Sequence, residues 1–435
     1  MEPDSHLDAH IEAALRRVQL SARDAASTGF GATSFEASAA EKPTALRTFE
    51  DTPRGSGALT GNTSWVGNRW ALRLKARAID ESADDQTFAD KQSFRLDGSL
   101  LGVALGNFML SAGSLDRWWG PGWEGSLILS SNARPIPSIA IERNYSDAPS
   151  WRLLQWIGPW RAFVSLGRLD EHDVAVPDTR FFAARVNFRP RPWLDVGLSR
   201  TAQWCGKGRP CDLSAFGDLL IGHDNRNAEL PESREPGNQM AGYDMRLRSP
   251  WKRLPVAIYG QLIGEDEAGG LPSRMLGQLG AETWGGTRWG SYRLHVEYAD
   301  TSCNFSRQQP LFDCAYRNSL YPQGYTYEGR NIGHALDSDG RMASLGALLV
   351  RAGGDSFSFL ARKVQLNRGG LSLDPAHTVS PSRRTLMNLE LQYNRAFARG
   401  ELGVGVGVDD FEKSAGPLSG NGSNPRGFVR WRHNL

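Results

Sequence analysis

The chain has 435 residues, 40% of them hydrophobic, and its 50 Lys and Arg against 48 Asp and Glu leave a formal net charge of +2. That balance excludes a strongly basic nucleic-acid binder, and no apolar stretch is long enough for a transmembrane helix. A transmembrane β-barrel stays open, because alternating lipid-facing and lumen-facing side chains average to a soluble hydropathy, and 48 glycines and 14 tryptophans suit turns and aromatic girdles.

The N-terminus, Met1-Glu-Pro-Asp-Ser, has neither a basic region nor an apolar run, so an exported protein is expected to have lost its signal peptide. From Ser5, an N-cap residue type, Leu7, Ile11, Leu15 and Val18 recur on one helical face. Residues 24–60 are small, polar and proline-containing and read as loop or short helix. Residues 1–60 are thus expected to form a helical and irregular periplasmic segment, either capping one barrel end or loosely attached.

From residue 61 the period changes to two. Leu72, Leu74 and Ala76 alternate with Arg73, Lys75 and Arg77, Tyr292–Tyr298 alternates with Arg293, His295 and Glu297, and Leu402–Val408 alternates with glycines. Strands of about 9–11 residues with aromatic ends match a tilted membrane crossing better than a soluble sandwich does. The runs number roughly 16 to 18, an even-numbered barrel wide enough for water or a plug. Tight breaks such as Arg189-Pro-Arg-Pro192 read as periplasmic turns, and 203–238, 300–339 and 367–384 as long external loops.

The most informative run is residues 116–143. Trp118, Trp119 and Trp123 surround a Gly-Pro-Gly turn, and a short apolar strand, Leu127–Leu129, is expected next. Asn132 and Arg134 follow on a proline-stiffened loop, then a second strand ending at Arg143. Indole faces stack on sugar C–H groups, and Arg and Asn bond hydroxyls or carboxylates, so this composition suits a sugar surface; ordinary barrel anchoring is the alternative.

Cys205 and Cys211 enclose a polar loop, as do Cys303 and Cys314, and both read as local disulfides of an oxidising compartment. A four-cysteine zinc site is the rival, without Cys-x-x-Cys knuckles. Trp204, Lys207 and Arg209 lie on the first cysteine loop. Tyr316, Arg317, Tyr321, Tyr325, Tyr327 and Arg330 cluster beside the second and form the preferred surface for an acidic polysaccharide. The alternative is that these tyrosines pack a loop plug.

No catalytic set emerges. The eight histidines lack metal spacing and there is no Gly-x-Ser-x-Gly elbow. His295 on a polar strand face could mimic a barrel hydrolase, and Glu265-Asp266-Glu267 could bind calcium or be a solvated turn.

The run Asp116–Trp123 with Leu127–Pro135, Gly197–Trp204 with Gly208-Arg-Pro210, and Gly237–Arg246 resemble the Wzi family of capsule assembly proteins. The resemblance extends from about residue 61 to the C-terminus. It implies an all-β outer-membrane antiparallel barrel of about 18 strands over 61–435, a short N-terminal helical segment, and long external loops plugging the other end. It also implies lectin-like, non-catalytic anchoring of capsular polysaccharide or exopolysaccharide at the cell surface, by a monomer in the lipid and lipopolysaccharide of the outer membrane, with no cofactor, metal or nucleic acid. A polysaccharide or solute channel is the alternative.

Overall fold

The computed structural model describes residues 28–435 apart from 32, 42–45, 47–55, 81–92, 144–146, 170–173, 222–236, 252, 269–270, 352, 371–376 and 412–421. Alternation decides the architecture. A strand with charges on one side and aliphatics on the other needs two environments, and closing eighteen of them into a ring supplies a lumen and an outer wall. In chain order they begin with β1 Ser34–Ala40, β2 Gly57–Val66, β3 Trp70–Asp80, β4 Leu100–Leu105, β5 Phe108–Ser114 and β6 Pro137–Arg143. There follow β7 Trp160–Leu169, β8 Thr179–Arg191, β9 Leu194–Trp204, β10 Gly237–Arg248, β11 Val256–Ala268 and β12 Leu271–Thr287. The ring ends with β13 Gly290–Asp300, β14 Arg341–Val350, β15 Ser356–Leu366, β16 Arg384–Phe397, β17 Gly400–Phe411 and β18 Gly422–Asn434.

Sequence neighbours pair antiparallel throughout, and β1 pairs with both β2 and β18, with Ser34 opposite Asn434 and Ala40 opposite Phe428. This closure removes every free edge. The wall therefore starts ahead of the boundary expected at residue 61. β1 is mostly Ser and Ala, so its alternation was too weak to read, yet it seats Phe35 outward and Glu36 inward against Arg432. The helix expected over Leu7–Val18 lies outside the described residues.

Outward positions form an apolar belt. Leu72 and Leu74, Ile139 and Ile141, Leu198, Leu279, Val296, Leu391 and Val406 are each more than 40% exposed. That is the wrong arrangement for water and the right one for lipid. Tight turns at 67–69, 106–107, 192–193, 288–289 and 398–399 gather at one end, with exposed Trp70, Trp193 and Trp289 beside them. One longer connection there carries the 3-10 turn Arg152–Ile157, whose Trp156 meets Phe188 edge-on. Connections 115–136 and 301–340, with the described parts of those after β9 and β15, 205–221, 367–370 and 377–383, lie at the opposite end, as expected for external loops.

The hydrophobic core sits in the lumen. Leu127, Ile128, Ile263, Leu276, Tyr316, Tyr325 and Ile332 are buried there together, joining wall strands to two loops that fold inward. Residues 127–129 form bends, correcting the strand expected there: their backbone groups bond to wall and loop side chains and to the Trp119 N–H because the segment threads the lumen.

Candidate functional site

Loop 115–136 enters the barrel and is tied down by wall side chains placed at inward positions. Gln261 on β11 donates to the Trp119 carbonyl at 2.6 Å and accepts from the Leu127 N–H at 2.8 Å. Glu297 on β13 accepts the N–H groups of Trp123 and Glu124. Satisfying buried backbone this way is obligatory where no strand partner exists. Small residues let the chain approach: a Cβ on Gly122 would meet Gln278 at 2.1 Å and one on Gly125 the His334 ring at 2.0 Å.

The deepest anchor is Glu124, 4% exposed. Its carboxylate accepts from Arg362 Nε at 2.8 Å and lies 3.2 Å from His295 Nε2. Arg362 runs on to Asn388 and Glu390, both at 2.9 Å. Burial alone would raise the Glu124 carboxyl; the Arg362 charge and the His295 bond outweigh it and hold the group below its ordinary value. Trp123 donates its indole N–H to Glu282 at 3.1 Å, stacks on His295 and lies under Arg293, with centroid separations of 5.6 and 4.9 Å.

Loop 301–340 packs on this first loop, through a small hairpin of Thr326–Tyr327 and Arg330–Asn331. The Tyr316 hydroxyl donates to the Leu127 carbonyl at 2.7 Å, and that of Tyr325 bonds the Ile128 carbonyl and Thr201 Oγ1, each at 2.8 Å. The Tyr321 hydroxyl donates to the Cys205 carbonyl at 3.0 Å, under the first cysteine loop. Burial pushes all three phenols up. It pushes the His334 imidazole down to about 4, so this ring is neutral inside the plug.

These positions correct the preferred sugar surface. Tyr316, Tyr321, Tyr325, Tyr327 and Arg330 are at most 4% exposed, and the three hydroxyls above serve as plug bonds, which leaves no ring face for a polymer outside. Arg317 is half-buried and pairs with Asp313 at 3.4 Å. Trp119 is core, edge-on to Phe163. Arg134 is buried in a two-bond pair with Asp97 and also meets Glu328. Arg143 lies over the Trp160 ring and donates to its carbonyl, an arrangement that pins the girdle rather than facing the loops. Trp204 packs against Phe216 on α1, Leu213–Ile221.

At the outer end Cys205 is bonded to Cys211 and Cys303 to Cys314. Between the first pair Lys207 is exposed, and Arg209 is half-buried with its guanidinium 5.7 Å from the Tyr321 ring. Toward the short-turn end, under the plug, a cavity of about 480 Å³ is lined by Arg117, Trp118, Glu142, Arg161, Arg185 and Asn187 among others. Glu124, Arg362, Gln261 and Arg161 went unread in the sequence. Their one signal was inward parity or adjacency to the Trp123 turn, which marks many residues equally.

No group of three metal-type side chains occurs among the described residues, and His295 faces Glu124 rather than a serine.

A profile of the family described as capsule assembly protein Wzi matches residues 26–414. A Klebsiella pneumoniae protein described as an uncharacterized 55.8 kDa protein in the cps region is 34% identical over 267 residues, covering 61% of this chain and 51% of that protein. The chain spans about half the length of that curated relative. The solved structure of Wzi from Escherichia coli, described as an outer membrane protein involved in group 1 capsule assembly and a carbohydrate-binding β-barrel, superposes with a TM-score of 0.82 at 25% identity. That match covers 99% of this chain and 89% of the other.

Proposed function

The chain belongs to the capsule assembly protein Wzi family of outer-membrane barrels, and from that premise we propose that it holds capsular polysaccharide or exopolysaccharide at the cell surface without catalysing a reaction. It does so as a monomer held by outer-membrane lipid and lipopolysaccharide. The observation that carries this reading over a channel is the pair of loops, 115–136 and 301–340, packed into one buried core inside the lumen. A solute pathway has no use for a core anchored by Glu124 and Arg362, whereas a platform for a polymer needs a stiff outer end.

The contact surface is the outer loop ring, with Lys207 and Arg209 among its charged members. Rim cations on a repetitive acidic polymer act by many weak, salt-dependent contacts. Binding of the detergent-folded protein to its own strain's polysaccharide, against an unrelated polymer of similar charge, tests the reading. Saturable binding to the cognate polymer alone is expected, reduced by the Lys207→Ala/Arg209→Ala variant by about 1 kcal/mol or less per charge. Equal binding to both polymers would sink it, and open-channel conductance in planar bilayers would favour transport instead.

A further inference from the structure

The cavity beneath the plug lies on the far side of the lumen from the outer loops. Its walls come from the short-turn ends of three adjacent strands: Glu142 is the penultimate residue of β6, Arg161 the second of β7, and Asn187 lies near the end of β8. Its roof is the Trp118 stretch of loop 115–136. At about 480 Å³ it falls within the range of small-molecule sites, about 300–1,000 Å³.

The charges are unevenly committed. Arg185 is consumed by a two-bond pair with Asp244 at 2.7 and 3.0 Å, and by Ser199 and Asn187. Arg117 pairs with Glu142 at 3.4 Å and lies over the Phe163 ring at 4.1 Å. Arg161 alone among these arginines makes no hydrogen bond or ion pair to a described residue, although inward parity on β7 aims it into the lumen. Asn187 gives its carbonyl to Arg185 and keeps two N–H donors. Trp118 is held by its indole N–H, which donates to the Gly122 carbonyl at 2.9 Å, so the ring is fixed in the cavity roof.

We propose that this cavity is a second saccharide site, on the short-turn side of the plug, that takes one acidic sugar unit with its carboxylate on Arg161 and its ring against Trp118. A free planar cation, amide donors and a fixed indole face are the three elements that separate a uronate from a neutral sugar. Phosphate would use the cation but not the aromatic face, so the combination favours a sugar acid. The site rests on the reading of the protein as a polysaccharide binder and extends it: the barrel would contact polymer on both sides of the plug.

The test uses the folded full chain and two probes that differ in one group, cellobiouronic acid and cellobiose, titrated calorimetrically. Saturable binding of the acid is expected, with cellobiose about tenfold weaker or silent. Arg161→Gln, a change at an exposed side chain without a polar partner among the described residues, should bring the acid down about tenfold to the level of cellobiose, while capture of the intact polymer by whole cells is unchanged. Trp118→Phe should retain binding and Trp118→Leu lose it. Equal binding of the two probes, or an Arg161→Gln protein that binds the acid as wild type does, overturns the proposal. If the polymer is captured but the acid does not bind, the pocket alone fails. If the acid binds through Arg161 but the polymer is not captured, the pocket stands and the outer-face reading fails.

Discussion

The two regions rich in aromatic and cationic residues use the same chemistry to opposite ends. In the plug, loops 115–136 and 301–340 bury Trp119, Tyr316, Tyr325 and Arg330, and each hydroxyl is spent on a neighbouring carbonyl. In the first cysteine loop, Lys207 stays in water and a covalent bond supplies the rigidity that burial supplies below. A tyrosine or arginine is a recognition residue where it meets solvent and a fastener where it does not. Removing the solvent multiplies the cost of leaving its polar atoms unpaired, and the plug answers by pairing most of them.

The contrast can be broken hardest at Glu124. Glu124→Ala leaves the Arg362 guanidinium buried beside Glu390 with its main partner gone, and should destabilise the plug by about 3–5 kcal/mol. In planar bilayers the wild type should be nearly silent and the variant should conduct. A silent variant of unchanged stability would mean that the plug is not held at this point.

Next in size is the outer staple. Replacing Cys205 and Cys211 with serine should cost roughly 2–3 kcal/mol of loop ordering by the chain-entropy account. The barrel's unfolding midpoint should barely move while polymer affinity drops. The reverse pattern would make this loop part of the structural core.

Tyr325→Phe should lower stability by about 1–3 kcal/mol in urea unfolding, because the buried Ile128 carbonyl loses its donor and the Thr201 hydroxyl loses a partner. The affinity of the folded protein for polymer should not change. A loss of affinity at unchanged stability would return the tyrosines to the binding surface.

The last test is a pH slope. His334, pushed down to about 4, stays neutral in the folded state while the unfolded chain takes up a proton, so its contribution is lost as pH falls from 6.5 through 4. Asp339 is raised to about 6, chiefly by burial, so the folded state holds a proton that the unfolded chain has released and stability falls as pH rises between 3.8 and 6. The two slopes oppose each other. Asp339→Asn removes the second, and stability should then decline more steeply on acidification between pH 6 and 4, by about 1.4 kcal/mol per pH unit. An unchanged slope would show that the Asp339 carboxyl is not raised in the folded protein.

Much of the wall was legible in the chain alone. Alternation at Leu72–Arg77, Tyr292–Tyr298 and Leu402–Val408 determined the strands, their inward and outward faces, and through these a closed membrane barrel. Tight and long connections sorted correctly to opposite ends, because turn chemistry and loop length are local properties. The neighbouring cysteines of each loop are bonded in the structure, and their spacing needed no tertiary knowledge to pair them. What only the tertiary structure decided is which loops turn inward. Trp119, Leu127 and Tyr325 read equally well as an exposed platform or a buried plug, since period and composition carry no information about solvent inside a ring of strands. Gln261, Glu297 and Arg362, contributed by β11, β13 and β15, take loop 115–136 into the lumen, and their meeting is a consequence of closure that no local pattern contains.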